Sequence, residues 1–168
     1  MKIITLIRHV ENFKEQPDGN ITDKGKLQAA EIKEFLQKNS ISPELIFTSL
    51  FKRTSQTAEI SNPNNAKLVS SIAFNEYYTR PDKTDVETVD MGVSRSLTKI
   101  YSVYDIYEEI MIVGHSSINK SILQSLLNIT YDEAKQLFNS YGEVKVIRYD
   151  WKAGDNNWRI FHSFTPEQ

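Results

Sequence analysis

The chain has 168 residues, 39% of them hydrophobic and 25% charged, with a net charge of -2; that is enough for one domain with its own core and short for two. The near-neutral balance excludes the global basic field of a nucleic-acid binder, and a chain without cysteine has no disulfide or thiolate metal site. No apolar run reaches the length of a signal-peptide core or a membrane span, so the expectation is a single domain over 1–168 with a cytoplasmic location and no nucleic-acid or membrane partner.

The first predicted element is a strand over Ile3 to Ile7 (IITLI), apolar on both faces as in a central parallel strand covered by helices. It runs straight into Arg8 and His9. A turn-rich loop, FKEQPDGNI, follows, and Thr22-Asp23 offers a cap for a helix with Ala29, Ile32, Phe35 and Leu36 at helical spacing, ending near Asn39. LIFTS reads as a second strand, and LFKRTSQTAEIS as a second helix with Ser49 as its cap. KLVSS reads as a third strand, and a helix is predicted from Val86 to about Tyr107 after the loop FNEYYTRPDKTD.

EIMIVGHSS then repeats the opening arrangement, a strand running into a histidine, with Ile118, Ile122, Leu123 and Leu126 at helical spacing behind it. A capping box from Thr130 to Glu133 opens the helix YDEAKQLFNSY. VKVIRYD and WRIFHSF, joined by KAGDNN, form a closing hairpin.

Strands alternating with helices predict a three-layer α/β/α sandwich around a mostly parallel sheet. Open parallel sheets bind ligands beyond the carboxyl ends of their strands. His9 and His115 both stand at such ends, and Arg53 falls in the first turn of a helix that follows a strand, where backbone N–H groups favour an anion. Arg8, Arg53 and the two histidines around one point would make a phosphate pocket, because guanidinium groups bind phosphate oxygens bidentately and stay charged.

At this point the sequence resembles the histidine phosphatase superfamily, also called phosphoglycerate mutase-like. LIRHV resembles its Leu-x-Arg-His-Gly motif with Val10 in place of glycine, and ITDKGKLQA its Leu-Thr-x-x-Gly-x-x-Gln-Ala. FTSLFKRTSQTAE keeps Ser49, Arg53, Gln56, Thr57 and Ala58 of a third segment, and IVGHSSINKSIL resembles the later strand–histidine–helix. The four matches run in family order from about residue 3 to residue 127.

The resemblance implies a phosphatase acting on a phosphomonoester, with His9 as the nucleophile that becomes a phosphohistidine. Arg8, Arg53 and His115 would hold the phosphoryl oxygens, with no metal and no cofactor. Glu76 is the best positional match to the family's general acid; Asp82 and Asp85 in the same loop are weaker matches, and Arg80 is placed to meet an anionic substrate tail. The substrate would be a small phosphorylated metabolite or a phosphoprotein. A mutase, a protein phosphohistidine phosphatase and a catalytically inactive phosphate-binding module stay open as alternatives, and no oligomeric state follows.

Plainer readings stand beside these. A histidine at a strand end is more often structural than catalytic, and only the company of Arg53 in its motif lifts His9 and His115 above that. His162 reads as an ordinary strand residue, the aromatics Phe74, Tyr77 and Tyr78 as packing, and Tyr101, Tyr104 and Tyr107 as a half-buried helical stripe. Val10 replaces a glycine that lets backbone approach phosphate, so it is expected to crowd the loop or demand a different backbone angle. Glu15 stands where many members carry asparagine, and Asn12 is the replacement donor; Ser116 and Ser117 stand where glycine is common, with the Ser116 hydroxyl or its backbone N–H facing the phosphate.

Overall fold

A computed structural model of the chain describes residues 2–14, 18–76, 88–150 and 157–168. Glu15, Arg80, Asp82, Asp85 and the pair Tyr77 and Tyr78 lie outside the described residues.

The described elements follow the predicted order. They are β1 (Ile3–Arg8), α1 (Asp23–Lys38), β2 (Leu45–Thr48), α2 (Lys52–Ser61), β3 (Lys67–Ser70), a 3-10 turn (Ile72–Phe74), α3 (Val89–Tyr101), β4 (Glu109–Gly114), α4 (Ser116–Leu127), α5 (Tyr131–Gln136), β5 (Val144–Tyr149) and β6 (Trp158–Phe164). The sheet order is β3-β2-β4-β1-β5-β6. The first four strands are mutually parallel, while β5 runs antiparallel to β1 and β6 antiparallel to β5.

Side-chain alternation along the central strands builds the three layers. Ile4, Leu6, Phe47, Ile110 and Ile112 pack with Ile100 of α3 and with Ile118, Ile122 and Leu126 of α4. Ile7, Ile46, Met111 and Val113 face the other way, onto Ala29, Ile32 and Leu36 of α1 and Ala58 of α2. Because both faces are covered, the strands read as continuous apolar runs rather than alternating ones.

Several boundaries differ from expectation. The second helix starts at Lys52 behind Phe51, and Ser49 is not its cap. The helix predicted to reach about Tyr107 ends at Tyr101, where turns take over; Tyr101 is exposed and only Tyr104 and Tyr107 pack against the core. The capping box at Thr130 is present, but α5 stops at Gln136. The reason is local: the Asn139 and Ser140 N–H groups donate to the Glu143 carboxylate at 2.6 and 2.9 Å instead of to carbonyls one turn back.

Candidate active site

Register brings the two histidines together. Arg8 pairs with Gly114 across the parallel β1–β4 ladder, so His9 and His115 are the next residues of adjacent strands. The His9 N–H continues the ladder by donating to the Gly114 carbonyl at 3.0 Å. The rings meet edge to face with centroids 5.2 Å apart, close to the spacing of neighbouring strands. Both are buried, His9 at 7% and His115 at 1% exposure.

Arg53 projects from the first turn of α2 into the angle between the rings. Its Nε donates to His9 Nε2 at 3.3 Å, and a terminal nitrogen lies 3.4 Å from His115 Nδ1. The guanidinium stacks on Phe51 at 4.4 Å, and Phe51 in turn sits edge-on to His115 with centroids 5.3 Å apart. Burial pulls the Arg53 pKa down, and the negative charges of Asp18 and Glu76 oppose that shift.

The tautomer of each imidazole follows from its partners. His9 Nδ1 faces the Val10 carbonyl at 2.9 Å; a carbonyl only accepts, so Nδ1 carries the proton and Nε2 presents its lone pair. Around His115 the chain of donors runs in one direction. The Thr54 hydroxyl donates to the Phe51 carbonyl at 2.7 Å, so Ser49 Oγ donates to Thr54 Oγ1 at 2.9 Å and accepts from His115 Nε2 at 2.9 Å. His115 Nδ1 is left as an acceptor toward Arg53. Burial is the main reason both rings stay neutral, lowering His9 to about 3 and His115 to about 2; Arg53 and Arg8 push both the same way, and His9 also lowers His115.

Arg8 closes the other side. Its guanidinium lies over the Tyr141 ring at 4.3 Å and donates to the Asn139 carbonyl at 2.5 Å, and the Tyr141 ring stands 5.5 Å from that of His9. Arg8 Nε is buried and has no hydrogen-bond partner among the described residues. Glu76 follows the 3-10 turn, half-buried, and its charge reaches both Arg53 and Lys120.

Two predicted binding residues are placed differently. The Ser116 hydroxyl donates to the Phe138 carbonyl at 3.3 Å, which leaves the backbone N–H groups at the start of α4 rather than this hydroxyl for an anion. The Asn12 amide donates to the Phe13 carbonyl at 3.2 Å and lines, with Tyr141, Glu11, Lys14 and Thr22, a cavity of about 560 Å³. Val10 neither crowds the site nor needs a left-handed backbone: among the described residues positive φ at non-glycine positions occurs only at Ser40, Asn65 and Asn128, and the Val10 side chain is fully buried with α1.

Ser49, Phe51, Thr54 and Tyr141 are the site residues that sequence reading missed. Ser49 lies inside the FTSLFKRTSQTAE motif, where its place before a helix suits a cap as well as a site residue. Tyr141 carries no motif signal and reaches His9 only because β5 pairs with β1.

Residues 4–79 match the model described as histidine phosphatase superfamily (branch 1). No curated protein matches the sequence significantly. Among solved structures, a mycobacterial glucosyl-3-phosphoglycerate phosphatase superposes with a TM-score of 0.77 at 15% identity, covering 95% of this chain and 97% of the other. The putative phosphohistidine phosphatase SixA from Agrobacterium tumefaciens gives 0.75 at 18% identity, covering 98% of each chain. A phosphoserine phosphatase mutant from Entamoeba histolytica gives 0.73 at 14% identity, covering 97% of this chain and 96% of that one. At such identities the likeness is one of fold. The chain is thus similar to the histidine phosphatase superfamily in sequence over residues 4–79, a little under half of its length, and shares the fold of these structures over almost all of it.

Proposed function

We propose that the protein is a phosphatase that hydrolyses a small phosphomonoester through a phosphohistidine on His9. The observation that carries this reading is the His9 tautomer: Nδ1–H is held by the Val10 carbonyl, and the Nε2 lone pair points into a cluster of cations. Nε2 attacks phosphorus and forms an N–P bond as the ester P–O bond breaks. Glu76 in its acid form delivers a proton to the leaving alkoxide. Water then attacks the phosphoenzyme, gives its proton to the Glu76 carboxylate, and the N–P bond breaks to release phosphate and restore His9.

Arg8 and Arg53 hold phosphoryl oxygens and stabilise the charge spread over them in the transition state, and His115 joins them once the charge of the bound phosphate has drawn a proton onto its Nδ1. The Arg8 Nε donor, buried without a described partner, supports an oxyanion on that side. The three named neighbours supply the range of leaving groups worth testing: a sugar-linked phosphoglycerate, phosphohistidine and phosphoserine. The wild type is expected to hydrolyse p-nitrophenyl phosphate and to yield an acid-labile phosphoenzyme on rapid quenching. His9→Ala is expected to do neither. Turnover that survives this substitution ends the proposal.

A further inference from the structure

Arg95, on the outer helix α3, belongs to none of the motifs and touches neither histidine, yet it makes the densest side-chain grip on the segment that leads into Glu76. One terminal nitrogen donates to the Ile72 carbonyl at 2.8 Å and also to the Ala73 carbonyl, and the other donates to the Asn75 carbonyl at 2.8 Å. Its neighbour Ser96, fully buried, adds a hydroxyl bond to the Ala73 carbonyl at 2.6 Å. Of the three, the Ile72 carbonyl also accepts from the Asn75 N–H at 3.1 Å within the 3-10 turn, while the Ala73 and Asn75 carbonyls lie at its end, where the turn itself supplies no donor. The Asn75 side chain accepts from the Leu50 N–H at 2.9 Å, so the same turn is tied to the Ser49–Phe51 stretch that holds His115.

The segment is thereby fixed on two sides: α3 grips its backbone, and the loop entering α2 grips Asn75. Glu76 is the next residue. A carboxylate that must meet a leaving oxygen gains from being held within a fraction of an ångström, and a loop does not supply that by itself. The planar fork of arginine suits three carbonyls at fixed angles; a lysine ammonium offers the same charge without the fork.

We propose that Arg95 is a positioning residue that sets the placement of the Glu76 carboxylate, so that it governs cleavage of esters needing a proton on the leaving group. The inference rests on the reading of Glu76 as the general acid. The charge of Arg95 adds the smallest push to the lowered His115 pKa, behind burial, His9, Arg53 and Arg8, and Arg95→Lys preserves that charge while losing the fork.

The test compares glycerol phosphate, whose leaving alkoxide needs a proton, with p-nitrophenyl phosphate, whose leaving phenolate does not. A positioned acid supplies about 10²–10⁴ in rate, so Arg95→Lys is expected to lose roughly tenfold or more in kcat on glycerol phosphate. Its turnover of p-nitrophenyl phosphate stays within about twofold, which also shows that the variant folds around a working His9. In a Glu76→Gln background the same substitution is expected to add no further loss, because both changes remove one function. Equal losses on the two esters, or losses that multiply those of Glu76→Gln, overturn the role of Arg95. A Glu76→Gln variant without the split between esters overturns instead the acid assignment beneath it.

Discussion

Neutral His9 at the bottom of a cationic cluster is the residue-scale feature on which the proposed catalysis and the acid sensitivity both turn. Between the ordinary histidine value of 6.5 and the folded values of about 3 and about 2, the unfolded chain binds protons that the folded chain refuses. Stability from the pair is therefore fully present above about pH 6.5 and is lost as the pH falls, on the order of 1.4 kcal/mol per pH unit for each ring. Urea unfolding at neutral pH and near about pH 5 is expected to show that loss, and His115→Asn to remove one ring's share of it. A wild type whose stability is flat across this range contradicts the burial argument.

At the scale of elements, the motif residues outside the histidine cluster are there to fix the loop after β1. The Glu11 N–H donates to Gln28 of α1 at 3.0 Å, the Ile21 N–H to Gln56 of α2 at 2.9 Å, and the Val10 N–H to Thr57 at 3.3 Å. The Thr57 hydroxyl in turn donates to the Arg53 carbonyl at 2.6 Å, linking loop and helix. Gly25, three residues after the Thr22 cap, lets α1 come against this loop: a Cβ there would fall inside van der Waals contact with the Glu11 carbonyl oxygen and 3.1 Å from a Val10 methyl. Backbone cannot step aside as a side-chain tip can. Gly25→Ala is expected to cost about 1–3 kcal/mol and to lower turnover, since the displaced Val10 carbonyl is the partner of His9 Nδ1. Unchanged melting and unchanged turnover would show that α1 can retreat without disturbing the loop.

Across the whole molecule, the site is assembled by pairing of distant strands. The addition of β5 antiparallel to β1 delivers the 137–143 connection, with Asn139 and Tyr141, to Arg8 and His9. That connection is held by Glu143, whose second carboxylate oxygen pairs with Lys145 at 2.9 Å where both side chains are only 9% exposed. Among the described residues no helix is long and apolar enough to cross a membrane. An anion that binds the folded chain alone stabilises it by mass action. Inorganic phosphate at a hundredfold excess over its Kd should add about 2.7 kcal/mol, a rise in Tm of roughly 5–10 °C for a chain of this size. Arg53→Ala is expected to abolish the shift. A shift that persists in this variant places the bound anion elsewhere.

How much of this was legible beforehand differs by kind of feature. The strand at Ile3 to Ile7, the helix behind Thr22, the closing hairpin and the histidines at strand ends were readable because periodicity, caps and turns are short-range properties. Arg53 was readable because a motif fixed its place relative to its own strand and helix. Helix ends near Tyr101 and Gln136 were not, since carbonyls and N–H groups there are taken by turns and by Glu143 rather than by the local ladder.

The sequence by itself determined the layers, the order of elements and the four residues Arg8, His9, Arg53 and His115, since each sits at a locally encoded strand or helix end. Only the tertiary structure decided which ring nitrogen carries the proton, that Ser49 supports His115, that the Ser116 and Asn12 side chains bond elsewhere, and that Tyr141 and Arg95 flank the site. Those outcomes depend on contacts between residues up to 132 positions apart (Tyr141 minus His9), and strand register rather than local propensity sets which side chains meet at that range.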